Sequence, residues 1–352
     1  MKSPLRVVAI GGGTGLSTLL SGLKRHARAT PPSTLATKPP LDIAAIVTVT
    51  DDGGSSGRLR RDFDILPPGD IRNCMTALSE DTALLSQLFQ YRFASGRGLK
   101  GHSFGNLFLT AMHQITGDFS QAVRLSSEIL AIRGRIFPAT SANVVLRATL
   151  KDGTTVRGES KISKSRKRID TISIEPDDCD PLPETLEALA QADLITLGPG
   201  SLYTSVIPNL LVRGVSEAIA TSSALKAYFV NLMWQPGETI NFTASQHVEA
   251  LHQHAGTKII DCVVLNTATI PEVLRKRYAQ AQVKPVENDL EALTNLGIKV
   301  VTADLIGDTA ISQKVRHDPA SLAEIVMDLA ARSRALQVRK QTLSAKKNIN
   351  ER

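Results

Sequence analysis

Six runs dense in Val, Ile and Leu recur along the chain without strict polar alternation: LRVVAI (5–10), LDIAAIVTV (41–49), ADLITLG (192–198), AYFVNLM (227–233), IIDCVVL (259–265) and GIKVVTA (297–303). A strand covered on one face alternates apolar and polar residues; one covered on both faces does not. Helix-patterned segments at 14–26, 203–222, 243–254 and 270–280 lie between several of these runs, and 71–132 carries a long helical period. This rhythm predicts an α/β protein with a Rossmann-like, mostly parallel sheet and helices on both faces. Ligands bind such sheets beyond the carboxyl ends of the strands. The polar motifs of this chain fall at those ends.

Residues 143–174 have a different texture. NVVLRATL and TTVRGESKI flank a Lys-Asp-Gly turn, a short-range hairpin signal, and IDTISIEP follows as a third strand. The expected organisation is therefore an N-terminal part of the Rossmann-like domain (1–139), a small antiparallel β insertion (140–180), a C-terminal part (181–330) and a basic tail (331–352), disordered or a frayed helix. RATPPSTLATKPP (28–40) reads as a surface loop, and KISKSRKR (161–168) as a basic loop in the insertion.

The net charge of +7 raises the question of nucleic acid. Its distribution argues against it: seven Lys/Arg against Glu351 alone stand in the tail, which leaves the rest of the chain nearly neutral. Aromatic residues are only 4% of the chain, too few for base-stacking platforms. No apolar run approaches the length of a membrane span. Cys74, Cys179 and Cys262 are odd in number and widely spaced, which fits reduced thiols and a cytoplasmic location better than a disulfide framework.

VVAIGGGTGLSTLLSGLK (7–24) reads strand, glycine loop, helix. Backbone N–H groups at such a turn, here Gly12, Gly13 and Thr14, form an anion site. The loop is neither a strict G-x-G-x-x-G nor a Walker motif with its lysine. The second strand ends in TVTDDGGSSGRLRRDFD (48–64). Asp51 and Asp52 suit ribose hydroxyls or Mg²⁺, which takes one or two carboxylates plus substrate phosphates. Gly53, Gly54, Ser55 and Ser56 would offer donors to the same phosphates, and Arg58, Arg60 and Arg61 would close over them or pair with Asp62 and Asp64. LPPGDIRN (66–73) starts a helix with Asp70 at its N-cap and Asn73 in the first turn. GHSFGN (101–106) supplies His102 and Asn106, with no third group to complete a nucleophilic triad. A second nest, Gly198, Pro199, Gly200 and Ser201, closes another buried strand, and NLMWQPGET (231–239) brings Gln235 as a reader of base or sugar, or as a satisfied turn. His247, His252 and His254 lack the i, i+4 spacing of a helical zinc pair.

In order along the chain, IGGGTGLS, TVTDDGGSSGRLR, ILPPGDIRN, LFQYRF, GHSFGNLFL, GDF, DGTTVRGES, LGPGSLYTSVIPNLLV, QPGET and RHDPASLAEIV span about residues 5–327. In these motifs the chain closely resembles the gluconeogenesis factor (YvcK-like) family of the CofD-like (2-phospho-L-lactate transferase) superfamily. The resemblance implies a Rossmann-like fold with a small β insertion in a cytoplasmic homodimer. It also implies binding of a UDP-sugar, UDP-N-acetylglucosamine in particular, and a role in growth on gluconeogenic carbon sources and in cell-wall and cell-shape control through protein partners. It implies no firm catalytic activity. Related transferases move a phospholactate-type group from a nucleotide diphosphate to a deazaflavin with Mg²⁺, a metal role that maps onto Asp51 or Asp52. Nucleotide-sugar binding maps onto Tyr278 in RKRYAQ and Arg316 in RHD. Trp234, where a small polar residue is usual, and Phe104, where an aliphatic one is common, depart from the pattern.

Two functions from different classes follow. In the first, the chain is a nucleotide-sugar-binding regulator. In the second, it is a Mg²⁺-dependent transferase of a phosphorylated group, with His102 assisting proton transfer.

Overall fold

The computed structural model describes residues 3–27, 39–80, 83–165, 167–309 and 313–350. The segment expected as a surface loop at 28–40 lies, but for its last two residues, outside them. The strands among the described residues are β1 (Leu5–Gly11), β2 (Leu41–Val47), β3 (Arg135–Pro138), β4 (Val145–Leu150), β5 (Thr155–Arg157), β6 (Ile169–Glu175), β7 (Leu194–Leu197), β8 (Leu225–Phe229), β9 (Cys262–Asn266) and β10 (Lys299–Ala303). Seven of them form one parallel sheet in the order β10-β9-β8-β7-β1-β2-β3. The remaining three form a small antiparallel sheet, β5-β4-β6.

The expected α/β architecture is therefore present, and all six Val/Ile/Leu-dense runs are strands of the large sheet. β1, β2 and β7 are buried along almost their whole length, because helices cover both faces and leave no polar side to alternate. RIFP (135–138) adds a seventh strand that the pattern did not announce. It pairs with β2 alone, at the sheet edge, and is too short to show a period.

Strand order reverses between β1 and its neighbour β7, and the crevice of an open α/β sheet lies outside the carboxyl ends at such a switch. Helix α1 (Gly13–Leu23) leaves β1 there. Downstream of β2 come α2 (Gly54–Phe63), α3 (Gly69–Leu78), α4 (Ala83–Gln90), α5 (Phe104–Thr116) and α6 (Phe119–Ile129). The stretch GSSGRLRRDF is thus a helix and not a loop. Gly57 permits its start, since a Cβ there would lie 1.9 Å from the Asp52 carbonyl oxygen.

In the insertion, β4 and β6 alternate inward Leu146, Ala148, Leu150, Ile172 and Ile174 with exposed or half-buried positions. Asp152 takes both the N–H and the hydroxyl of Thr154 in the Lys-Asp-Gly turn. Part of the basic run expected as a loop is a short helix, α7 (Glu159–Lys164), pinned by buried Ile162. His254 Nε2 accepts the Ile172 N–H at 3.0 Å and so ties this sheet to the helix Ala244–Ala255. His247 and His254 donate through Nδ1 to Thr243 and Ala250 carbonyls, and His252 accepts the Ile260 N–H. The three histidines are structural.

A single helix, Pro319–Asn350, closes the domain and runs on through the basic segment. Its start lies against α1, where a Cβ on Gly22 would come 1.9 Å from the Pro319 carbonyl oxygen. Leu322, Ala323, Val326, Met327 and Ala330 are buried under the sheet side of this helix. Arg334, counted by sequence with the solvated tail, forms an ion pair with Asp193, which is 1% exposed, and donates to the carbonyls of Ser3 and Pro4. Asp193 also accepts the Arg6 N–H at 2.6 Å. The helix thereby fastens the entrances of β1 and β7. Removing one member of such a pair strands a buried charge, so Arg334→Leu is expected to lower unfolding free energy by about 3 kcal/mol in urea melts. Arg332→Ala, which loses only an exposed i,i+4 pair with Asp328, is expected to change it by less than about 0.5 kcal/mol.

Candidate functional site

The glycine turn after β1 and the one after β7 meet at backbone distance. A Cβ on Gly15 would lie 2.2 Å from the Pro199 carbonyl oxygen, and one on Gly12 would lie 2.6 Å from both Asp70 Oδ2 and Thr48 Cγ2. Beyond them opens a cavity of about 520 Å³ at the switch between β1 and β7, within the range of small-molecule sites.

Of the residues singled out from sequence, Gly12, Gly13, Thr14, Asp51, Asp70, Asn73, Pro199, Gly200, Ser201, Gln235 and Arg316 line this cavity. Asp52, Gly53, Gly54, Ser55, Ser56, His102, Asn106, Gly198 and Tyr278 are not among its lining residues. The reason lies in α2: its first turn directs Ser55 and Ser56 into the interior, where both are buried. There Ser55 Oγ is 2.9 Å from His102 Nδ1 and accepts from Asn106 Nδ2 at 3.2 Å. Burial, followed by nearby Arg58, lowers the His102 pKa. Arg58 and Arg60 pair with neither Asp62 nor Asp64; each donates to a carbonyl, of Lys100 and Val144 respectively.

The adjacent carboxylates part company. Asp51 faces the cavity and accepts the Gly53 N–H at 2.9 Å. Asp52 turns to the insertion, where it accepts the Ser160 N–H at 2.8 Å and lies against Gly158. That bond swings Glu159, the preceding residue, onto the cavity wall. Asp70 is not the N-cap of α3; Pro68 is, and the Asp70 side chain crosses to the glycine turn that opens α1, where its Oδ2 lies against Gly12. Burial, then Asp51, raises the Asp70 pKa to about 6. Burial, then Asp51 and Asp52, raises that of Glu159 to about 7.

Gln235 braces the second nest: it donates to Ser201 Oγ at 2.8 Å and accepts from Leu202 N–H and Asn231. Buried Glu238, pushed up to about 6 by burial, takes the Tyr203 N–H and the Thr204 hydroxyl. Ser201, Thr204 and Ser205 remain along the wall. Tyr278 acts one step away, its hydroxyl accepting the N–H of Val315, the neighbour of cavity-lining Arg316. Trp234 does reach the cavity, with its indole N–H on the Phe242 carbonyl at 3.0 Å. Lining residues that sequence reasoning missed include Thr48, Thr50, Glu159, Thr204, Ser205 and His317. Strand-end polarity signals Thr48 and Thr50; Glu159 arrives from the insertion across more than a hundred residues and carries no local signal.

A model of the family described as 2-phospho-L-lactate transferase CofD matches residues 7–306. The chain is 46% identical over 324 residues to the gluconeogenesis factor of Bacillus subtilis, covering 92% of this chain and 98% of that one. It is 45% identical over 322 residues to that of Halalkalibacterium halodurans, covering 92% and 95%. The chain belongs to the gluconeogenesis-factor branch of the CofD-like superfamily. A crystal structure of a Bacillus halodurans protein superposes with a TM-score of 0.86 at 45% identity, covering 92% of this chain and all of that one. The Rossmann-like fold with its small β sheet is thus the family fold. Among the described residues no helix is long and apolar enough to cross a membrane, and the three cysteines are free and buried.

The raised Glu159 pKa has a measurable consequence. A carboxyl whose folded pKa exceeds its unfolded value adds stability below the unfolded pKa and loses it as pH rises through the folded one, here from about 4.5 to about 7. Glu159→Gln is therefore expected to melt progressively higher than wild type as pH goes from about 5 to about 8. A melting-temperature difference that stays flat across this range would contradict the half-buried placement of Glu159 beside Asp51 and Asp52.

Proposed function

We propose that the cavity binds a nucleotide diphosphate-sugar of the UDP-N-acetylglucosamine type, and that the protein is a regulator, as a homodimer, whose liganded surface is read by a protein partner. The observation that carries this reading is one cavity at the strand-order switch lined by both glycine turns and by Arg316. Glycine backbones admit a diphosphate closely, and a guanidinium offers it a planar pair of donors. The names of the relatives, gluconeogenesis factor, support a role in growth on gluconeogenic carbon sources; the family resemblance extends this to cell shape and cell wall.

A second reading is transfer of a phosphorylated group from a nucleotide diphosphate, which the CofD match favours. Mg²⁺ would be its cofactor. Mg²⁺ is content with one or two carboxylates plus phosphates and water, and among the described residues no cage of three or more ligating side chains exists. Asp51 and Asp70, both on the wall, fit that partial role; Asp52, held by Ser160, does not. When bound, the metal would neutralise phosphate charge next to these carboxylates.

UDP-N-acetylglucosamine at ~1 mM is expected to raise the melting temperature by mass action. Arg316→Ala, at an exposed position, should weaken binding by about tenfold, the worth of one charge-assisted hydrogen bond, without changing the unliganded melt. No shift with this ligand would overturn the first reading. Turnover of a nucleotide diphosphate substrate that Asp51→Asn abolishes would establish the second.

A further inference from the structure

A second concavity, of about 660 Å³, lies between α2 and the insertion. Arg60, Arg61, Arg157, Lys161 and Lys164 line it, against the carboxylates of Asp52 and Asp64. Three stretches of sequence supply the cations: the arginine run after DDGGSSG, Arg157 at the end of β5, and the basic run of the insertion. Lys161 and Lys164 stand three apart on α7 and so share a face. Neither they nor Arg61 have an ion-pair partner among the described residues, whereas Arg157 is paired with Glu175.

Arg60 is the second, independent observation. It is only 8% exposed, one end of its guanidinium donates to the Val144 carbonyl at 2.5 Å, and Nη1 is buried with no partner at all. Its pKa is lowered, by burial first, with Arg157 adding repulsion and Asp52 opposing it. Arg60 lines the groove while the Val144 carbonyl holds its guanidinium in place, so the fold fixes this cation on the groove wall.

We propose that this groove is an anion site for a small phosphorylated metabolite, with Arg60 and Arg61 on one wall and Lys161 and Lys164 on the other. A phosphate dianion presents three strong acceptors, and arginine and lysine meet it as fork and point charge respectively. The site is separate from the nucleotide-sugar cavity and does not depend on that reading. The two are neighbours, because the same two-residue turn sends Asp51 to one and Asp52 to the other. Asp52 also carries the Ser160 bond that sets Glu159 on the cavity wall.

The test uses the full chain with inorganic phosphate as probe, read by thermal shift and by 31P NMR titration at fixed ionic strength. Wild type should bind, and the exposed pair Lys161→Ala/Lys164→Ala should weaken binding by at least about tenfold, with an unchanged unliganded melt. Arg316→Ala should leave phosphate binding intact. Three results would overturn the proposal: phosphate binding that the double variant retains, phosphate binding that Arg316→Ala alone removes, or an equal shift from chloride at the same ionic strength. Should the double variant melt lower, Lys161→Gln alone supplies the comparison. UDP-N-acetylglucosamine binding, measured in parallel, distinguishes failure of this site from failure of the cavity.

Discussion

Everything at the carboxyl end of the sheet depends on two backbone turns touching where strand order reverses. Gly15 and the Pro199 carbonyl are so close that no side chain fits between them. This contact lets helix α1 and the 199–201 turn open onto one cavity instead of two. It works only if β1 and β7 are in register, which the parallel pairing of Val7 with Leu194 through Ile10 with Leu197 secures. At the opposite end of the same strands, Arg334 and Asp193 hold the chain where β1 and β7 begin. One end of the strand pair is fixed by charge and the other by the absence of side chains, and the cavity inherits its geometry from both.

The DDGG motif gains a different meaning from its surroundings. Past the end of β2 the two adjacent carboxylates take opposite directions. Asp51 faces the cavity; Asp52 becomes the latch that closes the insertion onto it through Ser160. The third carboxylate of the wall, Glu159, is a product of that latch. The small antiparallel sheet is therefore not a decoration on the α/β body but the source of part of its wall.

Much of this was legible in the sequence, and what was not has physical reasons. Unbroken Val/Ile/Leu runs announced strands buried on both faces, and the Lys-Asp-Gly turn announced the β4–β5 hairpin. β3 escaped because four residues at an edge leave no period to read. GSSGRLRRDF looked like a donor-rich loop, since two glycines and two serines are poor helix formers. The packing of α2, with Gly57 against the Asp52 carbonyl, overrode that propensity. The QPGET motif marked Gln235, as a reader of base or sugar or as a satisfied turn, but only coordinates show that its polar atoms, like those of Glu238, are already engaged by the 201–204 backbone and side chains. Tyr278 reaches the site through the Val315 N–H, an interaction that no motif encodes.

The electrostatics of the wall bear on how an anion enters. Asp51, Asp70 and Glu159 share one side, and the raised pKa values of Asp70 and Glu159 mean that these groups hold protons nearer neutrality than free carboxyls do. A diphosphate beside them needs compensation, and two sources with opposite proton signatures are available. If Arg316 and the glycine N–H groups receive the phosphates alone, the added negative charge raises the carboxyl pKa values further and binding takes protons up. If a divalent cation arrives with the ligand, its charge lowers the same pKa values and binding releases protons. The carboxylate wall thus makes the choice between a metal-free regulator and a metal-assisted transferase a matter of proton linkage, read through Asp70 and Glu159, whose proximity to Asp51 the fold imposes.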